Sequence, residues 1–177
     1  MGKNLTPAVE PVSPLAGTLP PARALRHAPL SEVPYDVVAL THDERVLRRR
    51  RLVTVHGEGF LVDLPRTVRL EQGDAFELAD GRLVEVVAAE ERLLEVRGAD
   101  LPRLAWHIGN RHAPCEIGAG VLLVPADPVM RRMLEGLGAE VAEVSRPFNP
   151  EGGAYEGHGH DGGESGLGGL VGHGHGS

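Results

Sequence analysis

The chain has 177 residues, a net charge of −7, a single cysteine and only 3% aromatic residues. The acidic balance argues against nucleic acid as the main partner, and one cysteine excludes an internal disulfide and a zinc site built from several thiolates. No apolar run approaches the length of a membrane span and the first residues lack the apolar core of a signal peptide, so we expect a cytoplasmic protein without a membrane partner.

The first half of the chain divides into an extended lead and a β-rich region. Residues 1–34 are rich in proline and alanine, which predicts a disordered lead. Residues 35–89 contain short alternating segments, one of which stops at Pro65, and the Asp80-Gly81 pair is a strong hairpin signal. These features predict a small all-β domain, either a sandwich or an open barrel.

Two local patterns stand out inside this β domain. Thr41 and Glu44 have the spacing of a capping box, which predicts a short helical turn between the first two strands. The only basic run, Arg48-Arg49-Arg50-Arg51, lies beside a predicted strand. Given the acidic net charge, we interpret it as a solvated face or a docking patch for a protein.

Residues 90–148 show a different alternation of elements. Two amphipathic helices are predicted, one capped by Asp100 and the other capped by Asp127, and each lies between short strands. The predicted order is β-α-β-β-α-β, the ferredoxin-like arrangement. The fold class is therefore α+β, with a small N-terminal all-β domain followed by a ferredoxin-like domain.

Residues 149–177 form a tail that holds half of the 24 glycines and four of the nine histidines. Glycine is costly to order and does not pack a core, whereas clustered histidines are typical of metal binding. In an extended chain, residues two apart point to the same side. The tail is thus predicted to be a flexible metal-binding arm whose ligands are two His-Gly-His pairs, His158 with His160 and His173 with His175. Because these pairs are embedded in Gly, Glu and Asp, an expression tag is the less favoured explanation.

Two further histidines, His107 and His112, lie near the end of the first predicted helix. On one continuous helix a spacing of five residues places side chains roughly 140° apart, and Gly109-Asn110 is expected to end the helix between them. One chain is therefore poorly suited to hold a single ion with both. A symmetric dimer, however, repeats any residue near its axis, so two copies of His112 can meet there and bind one metal. Either histidine also has an ordinary structural interpretation, His107 as a packing residue beside Trp106.

Three segments in the same order resemble the UreE urease accessory protein family, whose members are nickel metallochaperones. The similarity covers roughly residues 35–160. The matching segments are Leu40-Thr41-His42-Asp43-Glu44-Arg45, Gly109-Asn110-Arg111-His112 and Pro147-Phe148-Asn149-Pro150-Glu151-Gly152-Gly153-Ala154-Tyr155.

The resemblance implies a specific function. It implies a homodimer in which His112 binds Ni(II) at the interface, with His107 as an additional ligand found in some members. It also implies a non-enzymatic protein that delivers Ni(II) for assembly of the urease active site. The expected partners are the urease apoprotein complex and its accessory GTPase, bound through the β domain. Imidazole ligands also suit Zn(II) and Cu(II), so both are expected to bind in vitro.

One departure and several alternatives remain open. Several members of the family carry histidines where this chain has Ala126-Asp127-Pro128-Val129-Met130, so a peripheral metal site there is not expected. The main alternative is a histidine-rich protein for storage or detoxification of divalent metals. An adaptor with a structural metal is another. An enzyme with His112 as general base, oriented by Asp127 or Glu116, is disfavoured because the sequence supplies no nucleophile, phosphate or cofactor motif. Cys115 is either a soft metal ligand or a small buried residue.

Overall fold

The computed structural model describes residues 17–152, which form two β-sheets, two α-helices and a short 3-10 helix. The first part of the chain consists of β1 (Ala22–Arg26), β2 (Asp36–Leu40), the 3-10 helix (Asp43–Arg45), β3 (Val46–Val53), β4 (Gly59–Arg69), β5 (Ala75–Leu78) and β6 (Leu83–Ala88). The second part consists of β7 (Glu90–Arg97), α1 (Leu101–Gly109), β8 (Glu116–Gly118), β9 (Val121–Pro125), α2 (Pro128–Gly136) and β10 (Glu140–Pro147).

The first sheet has six strands in the order β2-β6-β5-β1-β4-β3. It is mixed, because β2 pairs with β6 and β1 pairs with β4 in parallel, while the other neighbours are antiparallel. The Asp80-Gly81 turn joins β5 to β6 as predicted, and Gly81 has the positive φ of 88° that such a turn requires. The core of the first sheet is aliphatic apart from Phe60 and Phe76, whose rings meet edge to face with their centroids 5.7 Å apart.

The structure corrects the predicted disordered lead. Residues 17–34 are described, and they contain β1, which lies between β5 and β4 in the middle of the sheet. Leu19 and Ala22 are buried. Proline and alanine give this segment little strand preference of its own, so its conformation comes from pairing with strands that lie far away in sequence. Residues 1–16 and 153–177 lie outside the described part of the chain.

The structure also corrects the prediction that a strand stops at Pro65. Strand β4 continues through it, from Gly59 to Arg69. The register against β3 shifts there, because Asp63 pairs with Arg49 while Val68 pairs with Leu47. A bulge leaves residues without a ladder partner, and such a position tolerates a proline that has no N–H to donate.

The second sheet has four antiparallel strands in the order β10-β7-β9-β8. The chain passes through it as β7-α1-β8-β9-α2-β10, which is the predicted β-α-β-β-α-β order. A single aliphatic cluster joins the helices to the strands through Leu94, Val96, Leu104, Ile108, Leu122, Val124, Met130 and Leu134. No helix among residues 17–152 is long and apolar enough to cross a membrane.

The helix ends carry the signals expected from the sequence. The carboxylates of Asp100 and Asp127 accept the amides of Arg103 and Met130, each three residues later. After α2, Gly138 adopts a φ of 86° and its amide and that of the next residue donate back into the last turn of the helix, which is the Schellman arrangement. Both helices thus begin at a cap in their own local sequence, and α2 also ends at one.

Candidate metal centre

His112 lies at the end of a tightened turn that follows α1. Its amide donates to the carbonyl of Gly109 at 2.9 Å, and the amide of Arg111 donates to Ile108 at 3.0 Å. His112 adopts a φ of 54°, which is uncommon for a residue other than glycine and costs about 1 kcal/mol or more. The side chain is exposed. A strained, exposed histidine at a turn is the kind of outlier that occurs at functional sites.

His107 lies in the last turn of α1 and is half-buried. Its ring contacts Trp106 edge to face, with the centroids 5.0 Å apart. Trp106 itself is 64% exposed. No contact between the His107 and His112 rings occurs in the described structure, so the two imidazoles are not brought together on one chain.

The described part of one chain does not assemble a complete metal centre. Residues 17–152 contain no group of three or more His, Cys, Asp and Glu side chains arranged to hold a metal ion. The tail histidines His158, His160, His173 and His175 lie outside the described residues. A metal bound at His112 with several protein ligands therefore needs groups from the tail or from a second copy of the chain.

Cys115 is poorly suited to be a reactive ligand. Burial raises the pKa of its thiol to about 11, and the nearby carboxylates of Glu151 and Glu116 act in the same direction. Its sulfur lies 3.8 Å from the carbonyl oxygen of Glu116, to which the thiol donates weakly. Because the thiolate is the form that binds metals, this environment favours the interpretation as a small, half-buried structural residue.

The carboxylates that would orient a catalytic His112 have other partners. Asp127 caps α2 at 2.7 Å, and Glu116 accepts the Asn149 amide, also at 2.7 Å. Neither carboxylate hydrogen-bonds to His112 among the residues that the structure describes. The geometry gives the general-base alternative no support.

Residues 148–151, which we call the tail root, lie against the strand that follows the His112 turn. Besides the bond from Asn149 to Glu116, the amide of Glu151 donates to the carbonyl of Cys115 at 2.9 Å. The sequence showed no local sign of this attachment, because the bonding groups are main-chain amides separated from their acceptors by more than 30 residues. The last described residues of the chain therefore lie close to the candidate ligand His112.

Comparison with known proteins agrees with the sequence motifs. Residues 17–89 match the model of the UreE urease accessory protein N-terminal domain, and residues 91–177 match that of the C-terminal domain. The chain belongs to the UreE urease accessory protein family. Similar proteins include the urease accessory protein UreE of Ruegeria pomeroyi, 55% identical over 80% of this chain and 94% of the relative. The UreE proteins of Cereibacter sphaeroides and Paracoccus denitrificans are 59% and 53% identical, over 69% and 77% of this chain and 66% and 86% of their own lengths.

The match to the UreE N-terminal domain begins at residue 17, where the described structure also begins. It therefore includes β1, a segment for which the sequence alone predicts a disordered lead. The two matches meet at residues 89–91, at the start of β7. The two matched UreE domains thus correspond to the two sheets of the chain.

Proposed function

We propose that the protein is a nickel-binding metallochaperone that delivers Ni(II) for assembly of the urease active site. The observation that carries the proposal is the exposed His112, held in a strained turn at the end of α1 within the Gly-Asn-Arg-His segment of a UreE-family chain. An exposed imidazole that makes no hydrogen bond within residues 17–152 can take up a metal and release it, which a carrier requires. The protein acts as a carrier and not as an enzyme.

The active form in this proposal is a homodimer in which two copies of His112 meet at the two-fold axis. Exposed apolar side chains lie on both sides of His112 in sequence, with Trp106 64% and Ile117 56% exposed. Large exposed apolar residues mark interaction surfaces, and tryptophan is enriched at the centre of such surfaces. A C2 interface that covers them would repeat His112 across the axis.

The remaining ligands in this proposal come from the tail. His158, His160, His173 and His175 supply imidazoles that complete the shell around Ni(II), with His107 as an additional ligand near the axis. Raw affinity favours Cu(II) over Ni(II), so delivery to the correct site depends on docking. The proposed partners are the urease apoprotein complex and its accessory GTPase, and the proposed location is the cytoplasm.

Nickel titration calorimetry on three chains tests this proposal: the parent, His112→Asn and a chain truncated after Tyr155. Asparagine tolerates the left-handed backbone of residue 112, so this variant removes the imidazole with little added strain. We expect one tight Ni(II) per dimer in the parent, loss of that site in His112→Asn and weaker binding after truncation. Binding should also weaken below about pH 6, since ligand imidazoles must be neutral.

The same experiment separates delivery from metal storage. A storage protein binds several ions per chain through its tail and does not need the residue at the dimer axis. If His112→Asn binds as much nickel as the parent while truncation abolishes all binding, the axial site is wrong and storage or detoxification is the better description.

The proposed dimer is tested by substituting a charge into the exposed apolar surface. We expect Trp106→Glu to shift the protein to monomers in sedimentation velocity, because a buried unpaired carboxylate opposes association. Val129→Glu is the matched control, since Val129 is 60% exposed on α2. Equal effects of the two substitutions on the sedimentation coefficient would contradict the assignment of the interface.

A further inference from the structure

The tail root is held by a buried arginine that the metal site described above does not use. Arg45 is only 2% exposed and ends the 3-10 helix of the first domain. Its Nη1 donates to Oδ1 of Asn149 at 3.0 Å, and its Nη2 donates to the carbonyl oxygen of Phe148. Both acceptors lie more than 100 residues away in sequence. The guanidinium therefore connects the first sheet to the point where the chain leaves the second.

Stability alone does not account for this arginine. Burial lowers the pKa of Arg45, and the carboxylates of Glu71 and Glu91 only oppose that effect from a distance. Its Nε is buried and makes no hydrogen bond within the described residues. Replacing a buried charge together with its partners by apolar side chains is often neutral or stabilising, so a buried, incompletely bonded charge is weak evidence for a stabilising role. What the two bonds do specify is the path of the chain at residues 148 and 149.

Other bonds fix the same segment to both sheets. The side-chain amide of Asn149 donates to Oε1 of Gln72 at 2.7 Å, on the first domain. The main-chain bonds to Glu116 and Cys115 fix it to the second domain. Phe148 is fully buried and its ring meets that of His42 at 5.7 Å. The tail root thus lies in the joint between the domains, with Arg45 at its centre.

The turn that carries Arg45 is itself rigidly built. Thr41 and Glu44 exchange the two bonds of the predicted capping box, at 3.1 and 3.4 Å. The Glu44 carboxylate also pairs with Arg50 at 2.7 Å, and the Arg45 amide donates to the Thr41 carbonyl at 3.1 Å. These contacts leave the guanidinium little freedom to follow a displaced tail root.

Covalent geometry shows what this attachment achieves. The amide of Glu151 is hydrogen-bonded to the carbonyl of Cys115. The three residues from Cys115 to His112 span at most ~11 Å. The seven residues from Glu151 to His158 span at most ~25 Å. While the tail root stays in place, the first His-Gly-His pair remains within reach of His112. Releasing the root lengthens the tether and lowers the effective concentration of the tail ligands.

We propose that Arg45 is a positioning residue for metal binding, which fixes the point at which the histidine-bearing tail leaves the fold beside the strand that follows His112. This inference rests on the proposed role of the tail in binding Ni(II). It assigns a function to the leucine-threonine-x-x-glutamate-arginine segment, in which Thr41 and Glu44 shape the turn and Arg45 holds the tail root.

The first test is a cycle of two changes, read out by Ni(II) affinity in a competition titration. Arg45→Met is made in the full chain and in the chain truncated after Tyr155. Arg26→Met, which removes an exposed arginine paired with Glu77 at 2.9 Å, is the control. We expect Arg45→Met to weaken binding about twofold or more in the full chain and to change nothing in the truncated one. Equal losses in both lengths, or no loss in the full chain, would overturn the proposal.

Asn149→Ala provides a second route if Arg45→Met does not fold. It removes the acceptor of the Arg45 bond and the donor of the Gln72 bond from the exposed side of the joint. We expect Asn149→Ala to weaken Ni(II) binding in the full chain and to leave it unchanged in the chain truncated after Tyr155. A loss that is independent of the tail would show that the segment acts on the fold as a whole, against the proposal.

A metal-free measurement separates this inference from the proposed function. A nitroxide on Gly157→Cys, in a Cys115→Ser background that keeps the residue 115 carbonyl, should broaden the NMR signals of the His112 and Ala113 amides. Arg45→Met should reduce that broadening, and Arg26→Met should not. If truncation leaves the nickel affinity of the parent unchanged, the proposed role of the tail fails, and the broadening alone decides the role of Arg45. If Arg45→Met leaves the broadening unchanged, the proposed role of Arg45 is wrong.

Discussion

His112 and Cys115 lie three residues apart, yet their surroundings give them opposite chemistry. The imidazole of His112 is exposed on a strained turn, whereas the thiol of Cys115 is half-buried and faces the carboxylates of Glu116 and Glu151. A metal approaching this region meets an accessible nitrogen ligand and a sulfur that holds its proton. The environment of each residue, more than its identity, decides which of the two can be a ligand.

The raised pKa of Cys115 predicts a slow thiol. With a pKa of about 11, about 0.1% of the group is ionised at pH 8, against roughly a quarter of an ordinary thiol. We expect Cys115 to react with a disulfide reagent about a hundredfold more slowly in the native protein than in the urea-unfolded chain, measured by absorbance at pH 8. A native rate within tenfold of the unfolded rate would show that the thiol is not shielded.

At the scale of single elements, the two helices are specified by their own ends. Asp100 and Asp127 cap α1 and α2, and Gly138 closes α2 in a Schellman turn. These signals act over three to six residues, so a linear pattern contains them in full. The turn that carries His112 begins where α1 ends, at Gly109.

The cap of α2 leads to a quantitative expectation. Asp127→Ala leaves the Met130 amide without its acceptor and should lower the free energy of unfolding by about 1 kcal/mol. Asp127→Asn keeps a side-chain oxygen at the same place and should lose only a few tenths of that amount. Urea denaturation of both variants measures the difference. If the two substitutions cost the same, the capping bond does not stabilise the helix.

At the scale of the whole molecule, the first sheet curls until its two edge strands meet. The amide of Val55, just after β3, donates to the carbonyl of Val37 in β2 at 2.9 Å. The buried carboxylate of Asp36 adds a bond to Nδ1 of His56 at 2.7 Å. The first of these contacts satisfies one amide and one carbonyl at edges that would otherwise be open to pairing with another chain.

Asp36 makes this closure sensitive to acid. Burial would raise the pKa of Asp36, but hydrogen bonds from Thr54, His56 and the Val37 amide outweigh it and hold that pKa below its ordinary value. Since the folded pKa is depressed, the stabilisation is present above the unfolded pKa near 4 and is lost as pH falls through the folded value.

Urea midpoints measured from pH 6 to pH 2 check this expectation. We predict that Asp36→Asn flattens the fall in stability below about pH 5, because the variant has no proton to gain at that position. Glu32→Gln, on an exposed carboxylate, is the control and should follow the parent. If the urea midpoint of Asp36→Asn fell with pH as steeply as that of the parent, the role of Asp36 would be contradicted.

The sequence by itself determined whatever depends on near neighbours. It identified the α+β class, the order of elements in the second sheet, both helix caps, the capping box at Thr41 and Glu44, and the hairpin turn at Asp80-Gly81. Its three motifs also led to the UreE family. His112 is identified as the candidate ligand because its Gly-Asn-Arg-His segment occurs in order with the two other motifs. Each of these features is encoded within a few residues, where main-chain geometry and hydrogen bonding are nearly independent of the rest of the fold.

Only the tertiary structure decided the features that depend on distant partners. Strand β1 exists because β4 and β5 flank it, although its own residues favour no strand. Strand β4 runs through Pro65 because β4 itself bulges there against β3. The tail root is held by Arg45, whose acceptor on Asn149 is 104 residues away. A linear pattern carries no sign of such pairs, because the free energy that fixes them arises only when folding brings the two segments together.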